Sequence, residues 1–303
     1  MTPIFLIQCL VFCLAGLVLE GQSLSITIDD APNLDHSPML LGAERNMRLL
    51  EAFREKGIRV ALFANGIRGG DTPVGRQWLE LWGREGHRIG NHTYGHLNLS
   101  EVGVARFKED SLKEDVLLRG TPGYWPMLRF PFLQRGKTIK ERLEAQEMLK
   151  AEGYAVASVS IPTYDWLWNA KLYKLLEANP DADITPLKSH YLKHLEGMLT
   201  GYRELGRALL GRDPAHTILL HHNLLNALLM PDVLQMLEVK GWKVVAPETA
   251  YQDSIYREDV TTVGFSESHL GAIARKRGVL LEEVRRLEAK YASETKMLKD
   301  YPL

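Results

Sequence analysis

The feature that most constrains this chain is an alternation: short β-branched or apolar runs, most of them followed by a stretch with helical spacing. The runs are Ser25–Asp30, Val60–Ala64, Arg88–Gly90, Met127–Arg129, Ala155–Val159, Thr217–His221 and Lys243–Ala246. Helical patterns cover Glu44–Lys56, Val74–Arg84, Val104–Leu118, Thr138–Glu152, Ser189–Leu210 and Pro231–Lys240. Strands that alternate with helices lie parallel, with the helices covering their faces. The expectation is therefore an α/β fold whose sheet curls into a (β/α) barrel, with an open doubly wound sheet as the alternative. Gly57, Gly153, Gly211 and Gly241 stand where helices would close on a left-handed cap. After Tyr251 the alternation stops. Ser266–Arg277 and Leu280–Leu298 read as amphipathic helices, so residues 251–303 are expected to form a C-terminal helical extension packed against a domain spanning 23–250.

With 303 residues, 45% of them hydrophobic and 25% charged, a large core is available and a disordered or fibrous chain is excluded. The 37 basic and 38 acidic side chains leave a formal charge of −1, which offers no general grip on phosphates, and no nucleic-acid partner is expected. Both cysteines, Cys9 and Cys13, fall in the uncharged stretch Ile4–Leu19. That stretch is short for a membrane span and is followed by Gly21-Gln22-Ser23, so residues 1–22 are expected to be a signal peptide. The protein would then be secreted or periplasmic, with no stable membrane span after cleavage. A retained N-terminal anchor is the alternative, because no Lys or Arg precedes Ile4. Cleavage would remove both thiols, and with them disulfides, thiol catalysis and cysteine zinc sites.

The chemistry collects where the strands end. Asp29-Asp30 closes the first strand, and two adjacent carboxylates on an apolar strand need partners to offset their desolvation. His92 and His96 follow the third strand with a spacing of four, which lets both rings meet one metal ion from a single helical turn. Arg129 ends the fourth strand, Asp165-Trp166 follows the fifth, and His221 ends the sixth. Each has an ordinary structural explanation: a turn cap, a surface histidine, a satisfied core residue. All of them lie at carboxyl ends of expected strands, which is the face where parallel barrels build active sites. The inventory suits a metal with three protein ligands and positions open to water and substrate, and hydrolysis is the natural reaction.

At these residues the sequence resembles polysaccharide deacetylases with a NodB homology domain, carbohydrate esterase family four. Thr27-Ile28-Asp29-Asp30-Ala31, His92 to His96, Arg129-Phe130-Pro131-Phe132, Asp165-Trp166 and Leu219-Leu220-His221 match five family motifs in order, over about residues 25 to 250. The resemblance implies a distorted seven-stranded (β/α) barrel of the NodB type and a metal-dependent hydrolase that deacetylates an N-acetylated glycan of peptidoglycan or chitin type. It further implies that Asp30, His92 and His96 hold a divalent metal, most often Zn2+ in the family, that polarises the acetyl carbonyl and activates water. Asp29 would be the general base, held by Arg129, and His221 the general acid, oriented by Asp165. The backbone N–H after Pro131 would help stabilise the oxyanion. Three positions depart from the family pattern: Ala31 replaces a glycine and could narrow the approach to the metal, Phe132 replaces a tyrosine, and Pro162 stands where an Asp is frequent. Phe132, Trp166 and Trp168 are candidates for stacking on a sugar, with core packing as the alternative. Trp78, Trp82, Trp125 and Trp242 read as structural, His36 and His87 as surface residues, and His222, which strand alternation points away from His221, as at most a support behind it. An O-acetyl esterase, another amidase on the same fold, and a carbohydrate-binding protein without catalysis are the competing functions. The retained acid and base argue against the last.

Overall fold

The computed structural model describes residues 22–260 and 268–279, so the expected signal peptide, save its last residue, and the Leu280–Leu298 helix lie outside the described residues. The described residues contain eight strands: β1 Ser23–Ala31, β2 Ala61–Ala64, β3 Arg88–Asn91, β4 Tyr124–Leu128, β5 Ala155–Val156, β6 Ile161–Pro162, β7 His216–His221 and β8 Lys243–Val244. The helices are α1 Gly42–Glu55, α2 Pro73–Arg84, α3 Leu99–Leu118, α4 Ile139–Ala151, α5 Asp165–Ala178, α6 Thr185–Leu210, α7 Leu224–Val239, α8 Pro247–Ala250 and α9 His269–Lys276. The strands pair in the order β5-β4-β3-β2-β1-β7-β6, with β8 joined to the start of β1, and every pairing is parallel. This is the expected curled (β/α) barrel of the NodB type. Among the described residues no helix is long and apolar enough to cross a membrane.

Strand β1 is the axis of the arrangement, and its alternation decides what faces where. Leu24, Ile26 and Ile28 join the main core with Leu49 and Phe53 of α1 and Leu234 and Leu237 of α7. Each such side chain contributes about 1.5–3 kcal/mol on burial. Ser25, Thr27 and Asp29, the intervening residues, are equally buried but polar. They face the barrel interior, where Arg129 donates to both Thr27 and Asp29.

Two elements differ from the sequence expectation. The fifth run does not continue as one strand to Val159. Ala157 N–H still bonds to Leu128 of β4, but Ser160 N–H bonds to Thr217 of β7, so the chain bends and changes partner within four residues. The two edges of the curled sheet, β5 and β6, are thus joined by a bent segment, and Asp165 follows β6, a two-residue strand too short to leave a pattern. Helix α7 starts at Leu224, not Pro231. Asn223 caps it by accepting the Asn226 N–H at 2.9 Å, and Pro231 lies inside the helix on its exposed side. The apolar run from Leu224 is buried almost all round, which hides helical periodicity. The four glycines expected to close helices do take left-handed φ values, from 63° to 80°. The described part of the C-terminal extension packs into the body: Leu270, Ile273 and Ala274 of α9 join the main core.

Candidate active site

The carboxyl ends of β1, β3, β4 and β7 converge, and a break in β1 separates the two aspartates. Register with β2 shifts between Asp29 and Ala31, and Asp30 takes a left-handed φ of 66°. The bulge re-aims the Asp30 side chain, so neighbouring carboxylates serve different surroundings. Asp29 stays in the barrel with Arg129, while Asp30 turns toward His92 and His96.

Asp30, His92 and His96 form the one group of three or more metal-ligating side chains found among the described residues, each offering an atom within 4.8 Å of the others. Asp30 Oδ1 lies 3.7 Å from His96 Nε2 and 4.0 Å from His92 Nε2. The His92 Nδ1 is 2.8 Å from the Arg129 carbonyl oxygen, to which it donates, so its Nε2 lone pair faces the two aspartates, with Asp29 Oδ2 at 3.5 Å and Asp30 Oδ1 at 4.0 Å. Burial pushes both imidazoles down to about 4, against the pull of Asp30, and they are neutral at pH 7, the form that binds metal. Burial by itself would raise the Asp30 carboxyl, but His92 and His96 bring it down to about 2. A carboxylate with two neutral imidazoles is the donor set of a three-ligand divalent site, and zinc fits it. The histidines do not share the helical turn that their spacing suggested. Residues 92–96 form a loop with left-handed φ at Thr93 and His96, and the rings meet edge to face at 4.8 Å.

Two carboxylate pairs flank the triad. Arg129 Nη1 donates to Asp29 at 3.0 and 3.3 Å, with both side chains buried. The guanidinium is completed by bonds to the Ala157 carbonyl, Thr27 and Tyr251. Burial raises the Asp29 carboxyl to about 6 although Arg129 opposes it, near the range where a base works at neutral pH. On the other side, His221 Nδ1 lies 2.7 Å from Asp165 Oδ1, while Asp165 Oδ2 accepts from the His221 backbone N–H, Asn223 and Asn226. Burial would lower His221, but the charge and hydrogen bond of Asp165 outweigh it and raise the imidazole to about 9.

Asp29, Asp30, His92, His96 and His221 line a cavity of about 370 Å³, walled by Phe132, Leu133, Pro162, Tyr164, Trp166 and Leu219. Trp166 and Phe132 are each 52% exposed, whereas Trp168 is 4% exposed and packs on Tyr191 and His194 in the core. Six non-glycine residues at the site, Asp30, Thr93, His96, Phe132, Leu133 and Tyr164, have φ between 53° and 66°. Such conformations cost about 1–3 kcal/mol each and gather where function requires them. A larger cavity of about 470 Å³ lies beyond β4, but it contains no comparable ligand set.

Several expectations are corrected. Ala31 is buried in the core and does not border the cavity, so it does not narrow the approach to the triad. His87 is 2% exposed, where its Nδ1 accepts the Val60 N–H at 3.1 Å and its ring meets Trp82. His222, as strand alternation implies, points away from His221, to Asn46. Other residues reach the site unforeseen. Asn65 donates to Asp30 Oδ1 at 2.8 Å, Arg68 borders the cavity, and Asn226 and Tyr251 hold Asp165 and Arg129. Asn65 immediately follows β2, so the strand-end rule could have found it.

A model of the polysaccharide deacetylase family matches residues 18–151. The chain is 24% identical over 166 residues to a peptidoglycan-N-acetylglucosamine deacetylase of Bacillus cereus, covering 54% of each protein, so it matches about half that relative's length. Its fold is similar to that of a chitin deacetylase of Colletotrichum lindemuthianum, with a TM-score of 0.54 at 17% identity over 76% of this chain and 87% of the other. It is also similar to that of a carbohydrate esterase family 4 pseudoenzyme of Bacillus anthracis, with a TM-score of 0.51 at 14% identity over 76% and 66%. The same architecture therefore occurs with and without activity, and function has to be argued from the site.

Proposed function

Because residues 18–151 match the polysaccharide deacetylase family, we propose that the chain is a metal-dependent hydrolase of that family that removes acetyl groups from an N-acetylated polysaccharide of peptidoglycan or chitin type. The observation that carries this reading is the pair of oppositely suited groups beside one three-ligand site: Asp29 raised to about 6 as a base and His221 raised to about 9 as an acid. Asp30, His92 and His96 would hold the ion, with Zn2+ expected. When bound, such an ion acts as a Lewis acid toward the acetyl carbonyl and the attacking water. Asp29, aligned by Arg129, takes the proton of that water as its oxygen bonds to the acetyl carbon. His221 Nε2–H delivers a proton to the departing nitrogen as the C–N bond breaks, leaving acetate and a free amine. Trp166 and Phe132 would give the sugar an apolar face. In this reading residues 23–250 are the catalytic domain, 251–303 its helical extension, and 1–22 a signal peptide that brings the enzyme to an extracytoplasmic glycan.

The direct test is acetate and free-amine release from a panel of N-acetylated and O-acetylated glycans with Zn2+ supplied. Amine release is expected, whereas acetate release from O-acetylated glycans alone would make the protein an esterase. Trp166→Ala is expected to raise KM two- to tenfold, corresponding to about 0.5–1.5 kcal/mol of ring contact, and to leave thermal stability unchanged. An unchanged KM would remove Trp166 from the substrate contact.

The pH profile supplies a second test. The His221 pKa is raised in the fold from 6.5 to about 9, so its contribution to stability is complete below pH 6.5 and is lost as pH rises through about 9. A general acid must keep its proton, so activity should fall through the same region. Asp165→Asn removes the charge that favours imidazolium and is expected to move the alkaline limb to lower pH without reducing metal content. Activity measured against pH with metal saturating checks this, and a stationary limb would mean that Asp165 does not tune His221.

A further inference from the structure

Two acidic side chains that this reaction does not use are buried behind the metal triad. Asp110 and Glu114 lie one turn apart on the inward face of α3, 6% and 0% exposed. Asp110 Oδ2 accepts the Gly95 N–H at 2.8 Å, and the Asp110 carbonyl accepts the Tyr94 N–H at 3.2 Å. These bonds restrain a loop whose Thr93 and His96 are both left-handed, conformations that persist only where neighbours over-determine them.

Glu114 faces the other loop of the site. Its fully buried carboxyl sits beside the Gly66 amide, and burial pushes it up to about 9 although that amide pulls the other way. Gly66 opens the turn after β2, next to the Asn65 that donates to Asp30. The two loops are also tied to each other. Ile67 N–H bonds to the Tyr94 carbonyl at 3.1 Å, and the Tyr94 ring fills the space beside Gly66 so closely that a Cβ there would sit 2.2 Å from it.

We propose that Asp110 and Glu114 are positioning residues of the metal triad: Asp110 fixes the loop that presents His96, and Glu114 is a buried wedge under the turn whose Asn65 orients Asp30. This rests on the ligand role proposed for Asp30, His92 and His96. A role confined to packing α3 would change stability without changing metal affinity, which separates the two possibilities.

The test is Zn2+ affinity of the full chain, measured by competition with a chromogenic chelator, alongside thermal unfolding. Asp110→Ala is expected to weaken Zn2+ binding about 10- to 100-fold, the usual effect of removing a group that supports a ligand. Asp110→Asn keeps an oxygen for the Gly95 N–H and should restore most of the loss. Glu114→Gln, which keeps the shape of the side chain, should bind as the unaltered protein does. If Asp110→Ala does not fold, Asp110→Ser, too short to reach Gly95, takes its place with the same expectation. Unchanged affinity in a folded Asp110→Ala or Asp110→Ser protein overturns the clamp, and a tenfold loss in Glu114→Gln overturns the wedge. No Zn2+ binding by the unaltered protein would instead overturn the triad on which both depend.

Discussion

Replacing His92 by alanine is expected to abolish tight metal binding and to lower hydrolysis by about a thousandfold or more, since Lewis-acid stabilisation of the reacting carbonyl is worth several kcal/mol. His92 is buried and neutral, its Nδ1 occupied by the Arg129 carbonyl, so its Nε2 can serve the ion without first losing a proton. Asp30 and His96 alone would make a two-ligand site. The fold should survive, because the loss is one hydrogen bond and a small buried volume at the rim of the barrel, about 1–3 kcal/mol. Elemental analysis and circular dichroism on the same sample check both parts. Equal metal content in the variant and the unaltered protein would remove His92 from the ligand set.

Asp29→Asn should separate the base from the metal site. The rate is expected to fall by about 10²–10⁴, the range assigned to general base catalysis, while metal content stays unchanged because Asp29 is not in the ligand set. The same substitution leaves the buried Arg129 guanidinium without its counter-charge, and breaking such a pair typically costs about 3–5 kcal/mol. The variant should therefore unfold at a clearly lower temperature than His92→Ala. Loss of metal in Asp29→Asn, with retention in Asp30→Asn, would exchange the roles of the two aspartates.

Much of this site could be read from the chain because the strand-end rule applies residue by residue. Arg129 directly follows β4, His221 closes β7 and Asp29 lies two residues before the end of β1, and the barrel brings those ends together. What escaped depends on contacts distant in sequence or on backbone states that leave no pattern. The His92–His96 spacing suggested a helix turn, but left-handed Thr93 and His96 make a loop, and only contacts such as the bond from Gly95 to Asp110 explain it. Strand β6 is two residues long, so Asp165 was matched by its motif and attached to the wrong strand. Asn226 and Tyr251 reach Asp165 and Arg129 across 61 and 122 positions, and nothing local marks either one. His87 looked isolated because Trp82 and Val60 close over it only in the folded barrel.

The central claim is hydrolysis dependent on an ion held by Asp30, His92 and His96. It is tested most directly by measuring acetate release from an N-acetylated glycan oligomer by the purified protein before chelation, after chelation, and after Zn2+ is returned, with bound metal counted at each stage. The expected result is release that disappears with the metal and returns as one ion per chain is restored. Release at an undiminished rate from metal-free protein would contradict the account.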